Sequence, residues 1–349
     1  FCILFLMFAF YAKEIFFRKK EVLDYLFILS AFYLTISLLL FTIVGNMILG
    51  DFFREILYSI LPIFFFFIGK SLNERGIKLF YNLVFYLIIG IILIGVLDLL
   101  GFKFSGVLQD ALTKGWVKNF KSFYSTIAMG YVAQLLFALI LFKQIKIKIK
   151  VLNQFLLLFF FVISLLTLQR ASLLGIISAL IIYSIFQKKG GIVYFLLTLD
   201  LFTYFGYDLA SSISGELDNF NYNSVSKDRE NQAVIFNTNN FFNVLFGEGF
   251  GKYSPNNSMT IQKMPDACYY RIYNELGIVG AATFFVPLIF LLTKAFKNRS
   301  AFKIYLIGFT LIAFFFNRFI WMIPLNYMFF SFLGIFESKS YNLYLSSVK

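Results

Sequence analysis

Long apolar runs alternate with short polar, mostly basic connectors along nearly the whole chain. A run of about twenty residues without charge is the length that crosses a bilayer as a helix. About eleven such segments are predicted, near 1–12, 22–45, 55–69, 79–100, 122–142, 151–168, 171–186, 192–207, 269–293, 304–317 and 321–336. A closed barrel is the other way to span a membrane, and it needs strands of strictly alternating polarity. These segments are apolar on every side. The predicted fold is therefore all-α: a polytopic integral membrane protein with residues 1–349 as a single membrane domain. The sequence opens at Phe1 inside an apolar run without Met, so it is expected to be a fragment lacking its true N-terminus.

One long polar interval breaks the pattern, from Asp208 to Cys268. It is read as a single long external loop. Its start is rich in Ser, Asn and Asp, which favours irregular structure. From Ser226 to Phe246 the apolar residues cluster enough for one or two short helices lying over the membrane.

Charge orients the spans. Lys and Arg crowd the short connectors at 13–20, 70–78, 143–150, 188–189 and 294–303, which alternate consistently with the spans. Positive connectors stay on the cytoplasmic side, so the 208–268 loop faces outward. The outer interval at 101–121 carries Lys103, Lys114, Lys118 and Lys121, either an ordinary solvated loop or an anion-attracting rim. With 60% hydrophobic and 14% charged residues, a soluble domain of this length is excluded. The chain has no histidine, which removes imidazole as base, proton shuttle or ligand. Its two cysteines, Cys2 and Cys268, form no metal or redox spacing.

A few polar residues stand out against the apolar background. Arg170 sits in Gln169-Arg170-Ala171-Ser172 between two apolar runs, at the outer tip of a helical hairpin. Such an arginine either snorkels to the interface or aims its two-pronged guanidinium at an anion such as phosphate. Arg229 lies in a mixed-charge turn, and Arg318 at the outer end of a span beside Trp321. Phe246-Gly247-Glu248-Gly249-Phe250-Gly251 places three glycines at alternate positions. They allow positive φ and a close approach of backbone to a ligand, or simply a tight turn. No nucleotide-binding context surrounds them, and no nucleic-acid partner is expected. Asp266 follows Pro265 at a predicted helix start, a position that also suits favourable interaction with the helix dipole. On that helix Asp266, Tyr269, Tyr270, Tyr273, Gly277 and Gly280 form one stripe, with Arg271 and Glu275 as an i,i+4 pair on another side.

Taken in order, these pieces resemble the O-antigen polymerase and O-antigen ligase superfamily of bacterial envelope enzymes. The matching elements are the outer arginine of Gln169–Gly175, Arg229 early in the loop, the Gly247–Gly251 turn, and the run from Asp266 through Glu275-Leu276-Gly277 to Gly280. Ligases usually carry histidine where Asp266 stands, so the resemblance leans to a polymerase. It implies oligosaccharide repeat units, carried on a polyprenyl diphosphate, joined at the periplasmic face of the inner membrane. It further implies Asp266 or Glu248 as the catalytic carboxylate. Arg170, Arg229, Arg318, Gly247, Gly249, Gly251, Tyr269 and Tyr270 would contact the diphosphate or glycan. A lipid diphosphate is already a good leaving group, so no cofactor or metal is demanded. Besides membrane lipids, the resemblance admits a chain-length regulator protein as a partner. Ligation of glycan to lipid A-core or to protein, and flipping of lipid-linked sugars, are the competing readings.

Overall fold

The computed structural model describes residues 20–99, 126–166, 170–187, 240–254, 257, 259, 268–316 and 325–348. Among them every regular element is helical. In chain order these are α1 (Val22–Ile43), α2 (Leu49–Ser71), α3 (Glu74–Leu99), α4 (Thr126–Leu141), α5 (Lys150–Leu166) and α6 (Arg170–Gln187). Then come α7 (Phe241–Phe246), α8 (Cys268–Lys297), α9 (Ala301–Phe316), α10 (Leu325–Glu337) and α11 (Tyr341–Val348). By length and composition α1, α2 and the Arg271–Lys297 part of α8 can cross a membrane, and several shorter apolar helices accompany them. The segments predicted at 1–12 and 192–207, and the start of the loop, lie outside the described residues.

Contacts gather the chain into two compact units. The first contains α1, α2, α7, α8 and α10. Its helices meet through small residues and buried ion pairs. A side chain at Gly69 would strike the Ser331 carbonyl, and one at Gly334 the Phe66 carbonyl, so α2 and α10 run with their backbones nearly touching. At the ends of these helices Lys70 is buried between Asp24 (2.8 Å) and Glu21 (3.1 Å) of the α1 start. Lys294 of α8 pairs with Glu337 of α10.

α2 is interrupted. Its axis passes through a π turn at Ile56–Ile60, just before Pro62. Proline has no N–H, so this turn is one helical donor short, and the carbonyls of Leu57 and Tyr58 take donors from outside the helix. Tyr327 Oη donates to the first (2.5 Å) and Asn326 Nδ2 to the second (2.6 Å), both from the start of α10. Pro287 in α8 frees the Thr283 carbonyl in the same way, and Ser30 Oγ of α1 donates to it (2.5 Å). In hydrocarbon no water can fill such gaps, so neighbouring side chains must.

The second unit is built around α4, whose residues 130–140 are all buried. Ser172 Oγ of α6 donates to the Gly130 carbonyl (2.8 Å), and Gly175 leaves room for the Gln134 side chain. Gln134 Nε2 then donates to the Tyr305 hydroxyl of α9 (2.7 Å). Thus Ser172 and Gly175, both in the arginine-led motif, set the approach of α6 to α4. α11 was not foreseen from the pattern. It is anchored by Tyr344, which stacks on Tyr81 at 5.1 Å and donates to the Gln144 carbonyl (2.5 Å).

Candidate functional site: a buried arginine where a loop enters a broken helix

α8 is not one rod. At Gly277 the backbone takes φ 67°, ψ −170°, a conformation open essentially to glycine alone. The break orphans the carbonyls of Asn274, Glu275 and Leu276. Three donors from elsewhere meet them: Glu248 N (2.8 Å), Gly249 N (3.1 Å) and the Tyr33 hydroxyl of α1 (2.9 Å). The Gly247–Gly251 turn is therefore plugged into the break in α8.

All three turn glycines have positive φ: 78° at Gly247, 109° at Gly249 and 98° at Gly251. Space demands glycine as well. A Cβ at Gly247 would collide with the Glu275–Leu276 backbone, one at Gly249 with the Phe41 ring, and one at Gly251 with Met47. Gly277 in turn faces the Leu245 carbonyl and Gly247 N. The atoms these glycines approach in this structure are the protein's own.

Beneath the turn lies Arg271, wholly buried together with Glu55 and Glu275. Its Nη2 is 3.0 Å from Glu55 Oε1, and its Nε is 3.0 Å from Glu275 Oε1. The predicted i,i+4 pair is present, but as the core of a larger cluster. Glu55 also accepts from Ser59 Oγ (2.6 Å) and from Ser254 Oγ. Glu275 accepts from Tyr253 N (2.7 Å), and the Phe250 ring stands 5.8 Å from the guanidinium. Three irregular pieces of backbone thus converge on one cation: the π turn of α2, the glycine turn and the break in α8. Two carboxylates face one guanidinium. Among the described residues, Glu275 Oε2 and Asn274 Nδ2 are buried without a hydrogen-bond partner.

Glu248 lies closer to the surface. Its Oε2 accepts from the Tyr253 hydroxyl (2.6 Å) and from Lys252 Nζ (2.8 Å), so this oxygen already braces the turn. Tyr269 stacks on Phe285 at 4.8 Å and donates its hydroxyl to the Leu311 carbonyl (2.7 Å). The stripe predicted from Asp266 to Gly280 does not run unbroken, because Gly277 ends the first helical stretch. Asp266, Arg229 and Arg318 lie outside the described residues. So do the side chains of Arg170, which opens α6, and of Tyr270.

Glu55, Ser59, Tyr253 and Ser254 were missed in the sequence. The available signal was an acid followed directly by an apolar run, in Phe53-Arg54-Glu55-Ile56-Leu57, within a helix apolar enough to cross a membrane. A carboxylate there needs a partner. No family model, no curated protein and no solved structure matches the chain.

Proposed function

We propose that this chain is a membrane-embedded glycosyltransferase that polymerises polyprenyl-diphosphate-linked oligosaccharide repeat units at the periplasmic face of a bacterial inner membrane. The observation that carries this reading is the joint at Gly277. The glycine turn and the Glu-x-Gly element, two separate pieces of the sequence resemblance, form a single interlocked structure. Supporting the orientation, Lys70 and Lys294 gather at one end of the first unit, while the plugged loop enters toward the other.

In this reading an acceptor hydroxyl attacks the anomeric carbon of the donor glycan. The bond from that carbon to the diphosphate oxygen breaks, and polyprenyl diphosphate leaves. A carboxylate, Asp266 before Glu248, takes the hydroxyl proton. Arg170, Arg229 and Arg318 stabilise charge on the leaving diphosphate. Asp266→Asn keeps side-chain size and helix-capping ability. It should collapse the glycan ladder to single repeat units while protein accumulates normally, since a general base contributes about 10²–10⁴ in rate. Glu248→Gln is the paired variant. A normal ladder from Asp266→Asn with loss in Glu248→Gln moves the base to Glu248; normal ladders from both remove the carboxylate from the mechanism. Arg170→Lys keeps charge but not the fork, and should lose most activity.

A second reading, movement of lipid-linked sugars across the membrane, draws support from the broken helix and the buried charges of Glu55, Arg271 and Glu275. Both are features expected along substrate paths within transporters.

A further inference from the structure

The segment from α7 to Asn257 can be placed against α1 residue by residue. The Phe246 carbonyl lies 3.4 Å from the Tyr33 hydroxyl. Phe250 N donates to Ser37 Oγ (3.0 Å). Gly249 stands against Phe41 and Gly251 against Met47. Asn257 Nδ2 donates to the Asn46 carbonyl (3.2 Å). These contacts climb from Tyr33 to the turn at Asn46, beyond the Ile43 end of α1, with a helical rise of about 1.5 Å per residue along α1 itself. Tyr33 is itself about 15 Å from the Ile43 end of α1 by the same measure. α7 therefore ends at mid-length of a helix long and apolar enough to cross a membrane.

α7 turns its phenyl rings outward, and its last residue, Phe246, is the one held at that height. Phe241 is 71% exposed, Phe242 69% and Phe246 48%. The neighbouring surface is of the same kind: Ile36, Leu39 and Leu40 on α1 and Ile278 on α8 are exposed apolar residues. The backbone is equipped for a place without water. Asn240 caps the helix by accepting from Phe242 N (3.0 Å), Val244 N bonds the Asn240 carbonyl (3.1 Å), and Gly247 N bonds the Asn243 carbonyl (2.9 Å). Beyond Gly247 the next two N–H groups enter the break in α8. A loop lying in water needs no such accounting, whereas one inside the hydrocarbon does.

We infer that α7 and the glycine turn form a re-entrant segment, with Phe241, Phe242 and Phe246 lying against bilayer hydrocarbon at mid-depth rather than over the membrane surface. The partner is the acyl interior of the bilayer, the same medium that covers the exposed faces of α1 and α8. The inference rests on the membrane-spanning character of α1 and not on the proposed reaction.

The test replaces Trp116 and Trp321 by Phe in the full chain and adds a single reporter, Phe242→Trp, in phosphatidylcholine vesicles. Lipid brominated at mid-chain should quench its emission severalfold more than a headgroup-bound quencher, and aqueous iodide should quench it little. Val44→Trp, past the end of α1, should give the reverse order. Phe241→Trp repeats the reading should Phe242→Trp fail to fold. Dominant quenching at headgroup depth at these positions would mean that α7 lies on the surface and would overturn the inference, as would dominant quenching by iodide.

Discussion

Arg271 is the residue on which the described site depends. A guanidinium with no exposed surface must be compensated, and Glu55 and Glu275 compensate it from two different elements. Removing one partner of such a cluster leaves bare charge in a low-dielectric interior, a loss of about 3–5 kcal/mol. Removing all the charge together is far milder. Arg271→Met alone should therefore lower the unfolding midpoint of the detergent-purified chain steeply. Adding Glu55→Gln and Glu275→Gln to it should recover most of the loss. If the triple variant unfolds no later than the single one, charge compensation is not what holds the cluster. At this scale the sequence was half legible. The Arg271–Glu275 spacing announced its own pair, because helical periodicity is local. Glu55 gave no comparable sign of its partner, which is 216 positions away in the chain.

At the scale of elements, the unit of design is the break bonded by a neighbour. Pro62, Gly277 and Pro287 each interrupt a helix, and in each case a side chain or loop from elsewhere meets the freed carbonyls. Gly277→Ala should be destabilising by at least about 2 kcal/mol, because alanine resists this backbone conformation and its Cβ would strike the Leu245 carbonyl. Gly90→Ala in α3 is the contrast. No neighbouring atom stands within 4 Å of its added Cβ, so thermal unfolding should be unchanged or slightly later. Equal effects at the two positions would remove the special role of the joint. The apolar runs gave the positions of the described helices to within about six residues, three of them long and apolar enough to cross a membrane, since a helix in lipid must be apolar throughout. The same uniformity hid the packing. The three alternate glycines signalled positive φ, yet nothing local said that the space beside them is taken by Phe41, Met47 and the α8 backbone.

At the scale of the whole molecule, an apolar helical scaffold holds a loop in a broken helix, and the role proposed for that assembly is glycan chain growth. Polymerisation, transport and ligation leave different products when the chain is absent. The most direct measurement is the length distribution and location of surface glycan in cells from which this chain alone has been deleted. Loss of a polymerase should leave single repeat units on the cell surface and abolish the ladder, with the ladder returning on expression of the intact chain. Absence of repeat units from the outer surface would contradict the account in favour of transport. Full-length polymer stranded on its lipid carrier would contradict it in favour of ligation.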